Sequence, residues 1–194
     1  MTARLLLIAH GATAATRAAA FPRDEPLDPG AVAATRALAS GLPLSHPRTQ
    51  RTSGPERRCA QTSTALAPDV NSDGGPGWLE VADLSDWDAG RWAGQTLDAV
   101  SAAEPDAVQA WLQDPDAAPH GGESLTQLLH RTGAWLDARP PTSRTIAVTH
   151  PAVLRAAAVH ALTAGPAAFW RIDVPPLATL SLTGTPGRWS VRLP

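Results

Sequence analysis

The run Arg4-Leu5-Leu6-Leu7-Ile8-Ala9-His10-Gly11-Ala12-Thr13 decides how this chain is read. An apolar run of this length, halted by glycine and followed by an alanine-rich stretch, indicates a buried strand that feeds a helix. A second run, Thr145-Ile146-Ala147-Val148-Thr149, stops in the same way at His150-Pro151. In an open parallel sheet, ligands bind outside the carboxyl ends of the strands, so both imidazoles are expected in one crevice.

Working outward, strand and helix signals alternate. A strand is expected over Ala3–Ala9. A helix follows over 28–40, with Asp28 as its cap and Pro29 at its first position. A short strand near 48–52 and a helix over 55–66 come next, then a Gly/Pro/Asp-rich loop over 71–77. Residues 78–93 are tryptophan-rich and irregular. Helices over Leu97–Ala103, capped by Thr96, and over Pro105–Gln113 precede a second loop over 114–122. Leu125, Leu128, Leu129, Trp135 and Leu136 form a helical stripe within 124–138. A strand over Arg144–Thr149, a helix over 151–162 and strands over 169–174, 177–182 and 189–193 complete the chain. This alternation predicts one domain, residues 1–194, of three-layer α/β architecture with a mostly parallel central sheet.

Composition narrows the function classes. With 194 residues, a substantial core is available, and 18% charged residues against 43% hydrophobic argues against disorder. The net charge of −2 gives no electrostatic reason for nucleic acid or an anionic membrane as partner. Cys59 is the only cysteine, which excludes an intrachain disulfide and is read as excluding a cysteine-based zinc site. The apolar start is too short for a signal peptide, so a cytoplasmic location is expected.

Five segments could carry chemistry. His10-Gly11 offers a nucleophilic imidazole beside a residue that lets phosphate or backbone approach closely, or else a simple turn. Ser53-Gly54-Pro55-Glu56-Arg57-Arg58-Cys59-Ala60-Gln61-Thr62 puts two arginines in the first turn of a helix. Cations are unfavourable there unless an anion sits against them; a solvated arginine pair is the alternative. Glu80, Asp83, Asp86 and Asp88 precede Gly90-Arg91-Trp92-Ala93-Gly94 and could supply a general acid or form an acidic surface loop. His120-Gly121-Gly122-Glu123-Ser124 leads into a helix, and His150 opens another.

The order of these pieces resembles the histidine phosphatase superfamily, in the branch containing cofactor-dependent phosphoglycerate mutases and α-ribazole phosphatases. Ala9-His10-Gly11, Ser53 to Thr62, Asp86 with Gly90 to Gly94, Gly121 to Ser124, and Thr149-His150-Pro151 carry the resemblance. It spans residues 3–193. The resemblance implies a phosphoglycerate mutase-like fold and a nucleophilic His10 that becomes phosphohistidine. It implies Arg58, Gly11 and Thr13 as phosphate-binding residues and His150 as a charge partner. Asp86 would be the proton donor, with Asp88 and Glu80 as alternatives, and Gly122, Glu123 and Ser124 a substrate loop. No metal or cofactor is implied.

Three positions depart from the pattern. Ala9 stands where the family carries a phosphate-binding arginine. Losing one positioned donor typically costs about 10²–10³ in rate; Arg17, Arg51 and Arg155 are candidates to fill the gap. Pro151 replaces a glycine and removes an N–H. Ala12, Ala14 and Ala15 make the wall after His10 small and apolar. The expected function is hydrolysis of a small phosphorylated metabolite, slowed by these departures. The alternative is a repurposed scaffold that binds an anionic ligand or partner, or performs other acid–base chemistry. A metal hydrolase using His10, His150 and Asp86 lacks support from ligand spacing. A phosphatase is expected rather than a mutase, because residues 78–122 are compact for a long ordered lid. The oligomeric state stays open, with a homodimer as one form.

Overall fold

The computed structural model describes residues 2–44, 46, 48–68 and 77–192. The predicted loop over 71–77, apart from Gly77, and the end of the last predicted strand at Leu193 lie outside the described residues.

Six strands form one sheet: β1 (Ala3–Ala9), β2 (Thr49–Ser53), β3 (Leu79–Glu80), β4 (Arg144–Thr149), β5 (Thr179–Thr185) and β6 (Arg188–Arg192). Their order is β3-β2-β4-β1-β5-β6. The first four run parallel, and β5 and β6 add an antiparallel edge. The helices are α1 (Ala14–Arg17), α2 (Pro29–Ala39), α3 (Arg57–Leu66), α4 (Leu97–Ala103), α5 (Pro105–Gln113), α6 (Leu125–Asp137) and α7 (Pro151–Ala161).

Both faces of the sheet are covered, which is why β1 reads as an unbroken apolar run and not as an alternating one. On one face, Leu5, Leu7, Ala9 and Ala147 pack with Leu128 and Leu136 of α6 and with Val153, Leu154 and Ala157 of α7. On the other, Ile8, Ile146 and Val148 pack with Cys59 and Leu66 of α3, with Leu38 of α2 against them. Leu7 and Ile8 are fully buried, each contributing about 1.5–3 kcal/mol by leaving water. The result is the expected three-layer arrangement.

A third cluster holds α4 and α5 to the domain. Trp92, Val100, Val108 and Trp111 are its buried members, with Phe21, Trp87 and Trp170 against them. The Trp111 and Trp170 rings meet edge-on at 4.8 Å. The tryptophans near the expected acid therefore belong chiefly to a packed aromatic core.

Two local expectations change. Residues 169–174 do not form a strand; Pro166–Arg171 is a 3₁₀ segment. Pro166 suits a helical first turn, and the adjacent Phe169 and Trp170 both pack inward. A strand would send these neighbours to opposite faces. The helix expected from Pro55 starts at Arg57, which makes Glu56 its N-cap residue. Glu56 makes no side-chain cap there, so its carboxylate serves elsewhere.

Candidate active site

The β1–β4 register puts Ala9 opposite Thr149, so the chain leaves both strands at the next residue. The His10 amide still donates to the Thr149 carbonyl at 2.9 Å. The two imidazoles consequently meet edge to face, with ring centroids 5.2 Å apart. His10 Nδ1 lies 2.8 Å from the Gly11 carbonyl oxygen. A carbonyl can only accept, so Nδ1 carries the proton and the Nε2 lone pair is left available. Burial, reinforced by the nearby His150 charge, pushes the His10 pKa down to about 4. The imidazole is therefore neutral at pH 7.

Arg58 enters from the second position of α3 and is 1% exposed. Its Nη1 donates to the Arg23 carbonyl at 2.5 Å and its Nη2 to Asp86 Oδ2 at 2.7 Å. Its Nε has no protein partner. Asp86 accepts from the Trp87 amide through Oδ1 at 2.8 Å, and its own amide donates to Glu56 Oε1 at 2.9 Å. His150, fully buried, has Nε2 2.7 Å from Glu56 Oε2. Its Nδ1 lies 3.3 Å from Asp86 Oδ2. That is an ion-pair distance, but Nδ1 has no aligned hydrogen-bond partner.

These contacts set the charges. Burial works to raise the Asp86 pKa, but His150 and Arg58 override it and hold the carboxyl ionised. Burial opposes the charge on His150, yet Asp86 and Cys59 lift its pKa well above the usual value. Glu56 is held below the usual carboxylate range, because its hydrogen bond to His150 outweighs burial. Two cations thus face two carboxylates around a neutral histidine, and the centre is self-neutralised.

The other predicted residues are placed as follows. The Gly11 amide donates to Thr62 Oγ1 at 3.0 Å. A Cβ on Gly11 would press on Ala31, Leu27 and Thr35 at 3.2–3.3 Å. The close approach Gly11 permits in this structure is that of α2, and its amide is engaged by Thr62. Thr13 is the N-cap of α1, where it forms a capping box with Thr16. Its hydroxyl also donates to Glu25 at 3.2 Å, so it is spent on the turn and not on the charged cluster.

Gly122, Glu123 and Ser124 brace the acid-bearing loop. A Cβ at Gly122 would collide with the Asp88 carbonyl, the Glu123 amide donates to that same carbonyl at 2.9 Å, and Ser124 caps α6. Asp86, Gly122 and Glu123 line an open depression of about 680 Å³ together with Gln127, His130 and Arg131. Asp88 accepts from the Gly90 amide, and Glu80 lies exposed on β3; neither joins the cluster.

None of the three arginines proposed to replace the one missing at Ala9 contacts the cluster. Arg17 pairs with Asp28, Arg51 bonds the Leu44 carbonyl, and Arg155 bonds the Ile172 carbonyl. Ala9 itself is fully buried in the core.

Sequence reasoning missed Arg131. Its guanidinium bonds both Glu123 oxygens at 2.8 and 2.9 Å and reaches the carbonyls of Asp83, Ser85 and Asp86. Its eight-residue spacing from Glu123 placed it on an ordinary exposed helix face, with nothing local to mark it. Glu56 and Cys59 were also unassigned. Among the described residues, Glu56, Cys59 and His150 bring three potential metal-ligating atoms within 4.8 Å of one another. This is not the His10, His150 and Asp86 set considered from sequence.

Comparison with known proteins places the chain in a family. The family model described as "Histidine phosphatase superfamily (branch 1)" matches residues 5–194. Glucosyl-3-phosphoglycerate phosphatase of Mycolicibacterium vanbaalenii is 34% identical over 135 residues, covering 66% of this chain and 56% of that protein. Bifunctional protein Rv2228c of Mycobacterium tuberculosis is 31% identical over 150 residues, covering 73% of this chain and 39% of that protein. This chain thus spans little more than half, or less, of the curated relatives it matches. Among solved structures, the mycobacterial glucosyl-3-phosphoglycerate phosphatase Rv2419c superposes with a TM-score of 0.81 at 20% identity, covering 100% of this chain and 98% of that one. A phosphoserine phosphatase from Entamoeba histolytica gives 0.84 at 15% identity, covering 98% and 95%; these two likenesses concern the fold. With the family model spanning nearly every residue and the histidine pair, arginine and acid gathered at the strand ends, the chain belongs to the histidine phosphatase superfamily, branch 1.

Proposed function

We propose that this protein is a phosphomonoesterase that hydrolyses a small phosphorylated metabolite through a phosphohistidine on His10. One observation carries the reading: a buried, neutral His10 with Nδ1–H held by a carbonyl, leaving Nε2 free beside two cationic side chains. Phosphoryl transfer needs mainly positioning and charge stabilisation, and these groups supply both.

In the first step, His10 Nε2 attacks phosphorus, the N–P bond forms and the ester P–O bond breaks. Arg58 and His150 hold the phosphoryl oxygens, and Asp86 gives a proton to the leaving oxygen. Asp86 is ionised at rest because it pairs with those same two cations. A bound phosphoryl group takes over the cations and adds negative charge beside the carboxyl. Both effects raise its pKa, so Asp86 takes up a proton from solvent as substrate binds and becomes the acid. In the second step, Asp86 takes a proton from water as water attacks phosphorus. The N–P bond breaks, phosphate leaves and His10 is restored.

The substrate is a small phosphorylated molecule whose leaving group meets the depression beside Asp86. No described helix is long and apolar enough to cross a membrane, and we place the enzyme in the cytoplasm. The test compares wild type with His10→Ala on an aryl phosphate and a phosphosugar panel, with acid-quench trapping of phosphohistidine. The reading predicts turnover and a trapped adduct only when His10 is present. Equal rates for the two proteins would assign the scaffold to ligand binding instead.

A further inference from the structure

Glu56, Cys59 and His150 converge in a way that phosphoryl transfer does not require. Cys59 and His150 are fully buried, and Glu56 is the partly exposed member. Glu56 and Cys59 are three residues apart at the start of α3, which puts them on one side of the helix. His150 arrives from the end of β4. Its single Nε2 lies 2.7 Å from Glu56 Oε2 and 3.3 Å from Cys59 Sγ.

With His150 protonated, Nε2–H serves Glu56 at 2.7 Å and leaves the Cys59 sulfur at 3.3 Å only as a weak second acceptor. A cation among the three lone-pair donors satisfies all of them at once.

We propose that Glu56 Oε2, Cys59 Sγ and His150 Nε2 form a binding site for a thiophilic divalent cation of the zinc class. Zinc bond lengths of about 2.0–2.3 Å put tetrahedral ligand atoms roughly 3.3–3.6 Å apart. The two separations from Nε2, 2.7 and 3.3 Å, need adjustments of under ~1 Å, which the partly exposed Glu56 side chain can make. A thiolate and an imidazole select zinc-like ions over magnesium or calcium. Three protein ligands leave a fourth position open, and a cation on Nε2 takes the nitrogen through which His150 would hold a phosphoryl oxygen, so cation and phosphoryl group exclude one another there.

Two further features fit. Metal-bound imidazoles usually present their other nitrogen to a carboxylate, and Asp86 Oδ2 stands 3.3 Å from His150 Nδ1. Gly54 keeps side-chain atoms off the site: a Cβ there would lie 3.0 Å from Glu56 Oε2 and 3.1 Å from His150 Nε2.

The experiment uses chelator-stripped full-length protein in phosphate-free buffer, titrated with Co²⁺ and then Zn²⁺. Because Cys59 is the only cysteine, a thiolate-to-cobalt charge-transfer band in the near ultraviolet reports this site without any variant. The expected result is one Co²⁺ per chain with that band, displaced by one equivalent of Zn²⁺. Asp86→Asn should weaken Zn²⁺ binding about 10–100-fold, and Glu56→Gln should weaken it at least as much, each variant checked by thermal melt. Saturating Co²⁺ with no thiolate band overturns the proposal, as does Zn²⁺ affinity unchanged in a folded Glu56→Gln. No substrate is involved, so failure leaves the hydrolysis reading standing.

Discussion

Glu56→Gln is the sharpest probe of the self-neutralised centre. In the wild type, Glu56 Oε2 sits 2.7 Å from the His150 nitrogen that a phosphoryl group would engage. A phosphate oxygen on that nitrogen would stand about 4 Å from the Glu56 charge. Two unit charges at that distance interact by about 4 kcal/mol at an effective dielectric constant of ~20. The Glu56 side chain is 18% exposed and can swing partly into water, so about half of this is expected to be realised. Removing the charge should therefore improve phosphate binding by about 2 kcal/mol, roughly 30-fold. Glutamine keeps an Oε1 for the Asp86 amide, so the acid loop should hold its position. Competitive inhibition by orthophosphate, in the presence of chelator, measures the effect. Unchanged or weaker phosphate binding in Glu56→Gln would refute the idea that this carboxylate competes for the anion site.

Three further outcomes follow from the same geometry. The pKa of folded His10 is about 4, below the ordinary histidine value of 6.5, so the unfolded chain binds the extra proton between those values. The stability from neutral His10 is complete above about pH 6.5. It falls by about 3 kcal/mol as pH drops to about 4. His150, with a raised pKa, acts in the opposite sense and loses its contribution only as pH rises through its folded value. Urea titrations should show a flatter loss of stability between pH 6.5 and 4 for His10→Asn than for wild type; equal slopes would mean the imidazole is not buried neutral. Ala9→Arg forces a long side chain into a filled core position, and should cost about 1–3 kcal/mol, or several degrees in Tm. Phosphate should raise the Tm of this variant more than that of wild type if the guanidinium reaches the anion. Arg131→Ala frees Glu123 and the carbonyls on either side of Asp86. Its kcat should fall more on alkyl than on aryl phosphates, because alkyl leaving groups depend more on the proton donor; equal losses would separate Arg131 from Asp86 positioning.

The catalytic candidates were legible to different degrees, for physical reasons. His10 and His150 could be read directly, because a buried strand must end somewhere and the residue at its end faces the crevice. Arg58 was readable from an electrostatic conflict, a cation at the positive end of a helix. That Asp86, and neither Asp88 nor Glu80, joins the charged cluster needed coordinates, since all three come from a stretch that reads as irregular from sequence. The tryptophans could not be sorted from sequence between a binding wall and a core. Burial depends on which faces the α4–α5 excursion meets.

The chain by itself determined the three-layer order of strands and helices, since apolar periodicity and Gly/Pro punctuation are local properties. It also determined that His10 lacks its usual arginine neighbour. Only the tertiary structure decided which charges surround His10 in its absence. Residues 56, 86, 131 and 150 are distant in sequence, and their charges acquire partners only when β2, β4, α3 and α6 are packed together. The sum of those contacts, two carboxylates on two cations with a buried thiol beside them, depends on distances of a few ångströms between elements. No local pattern encodes such distances.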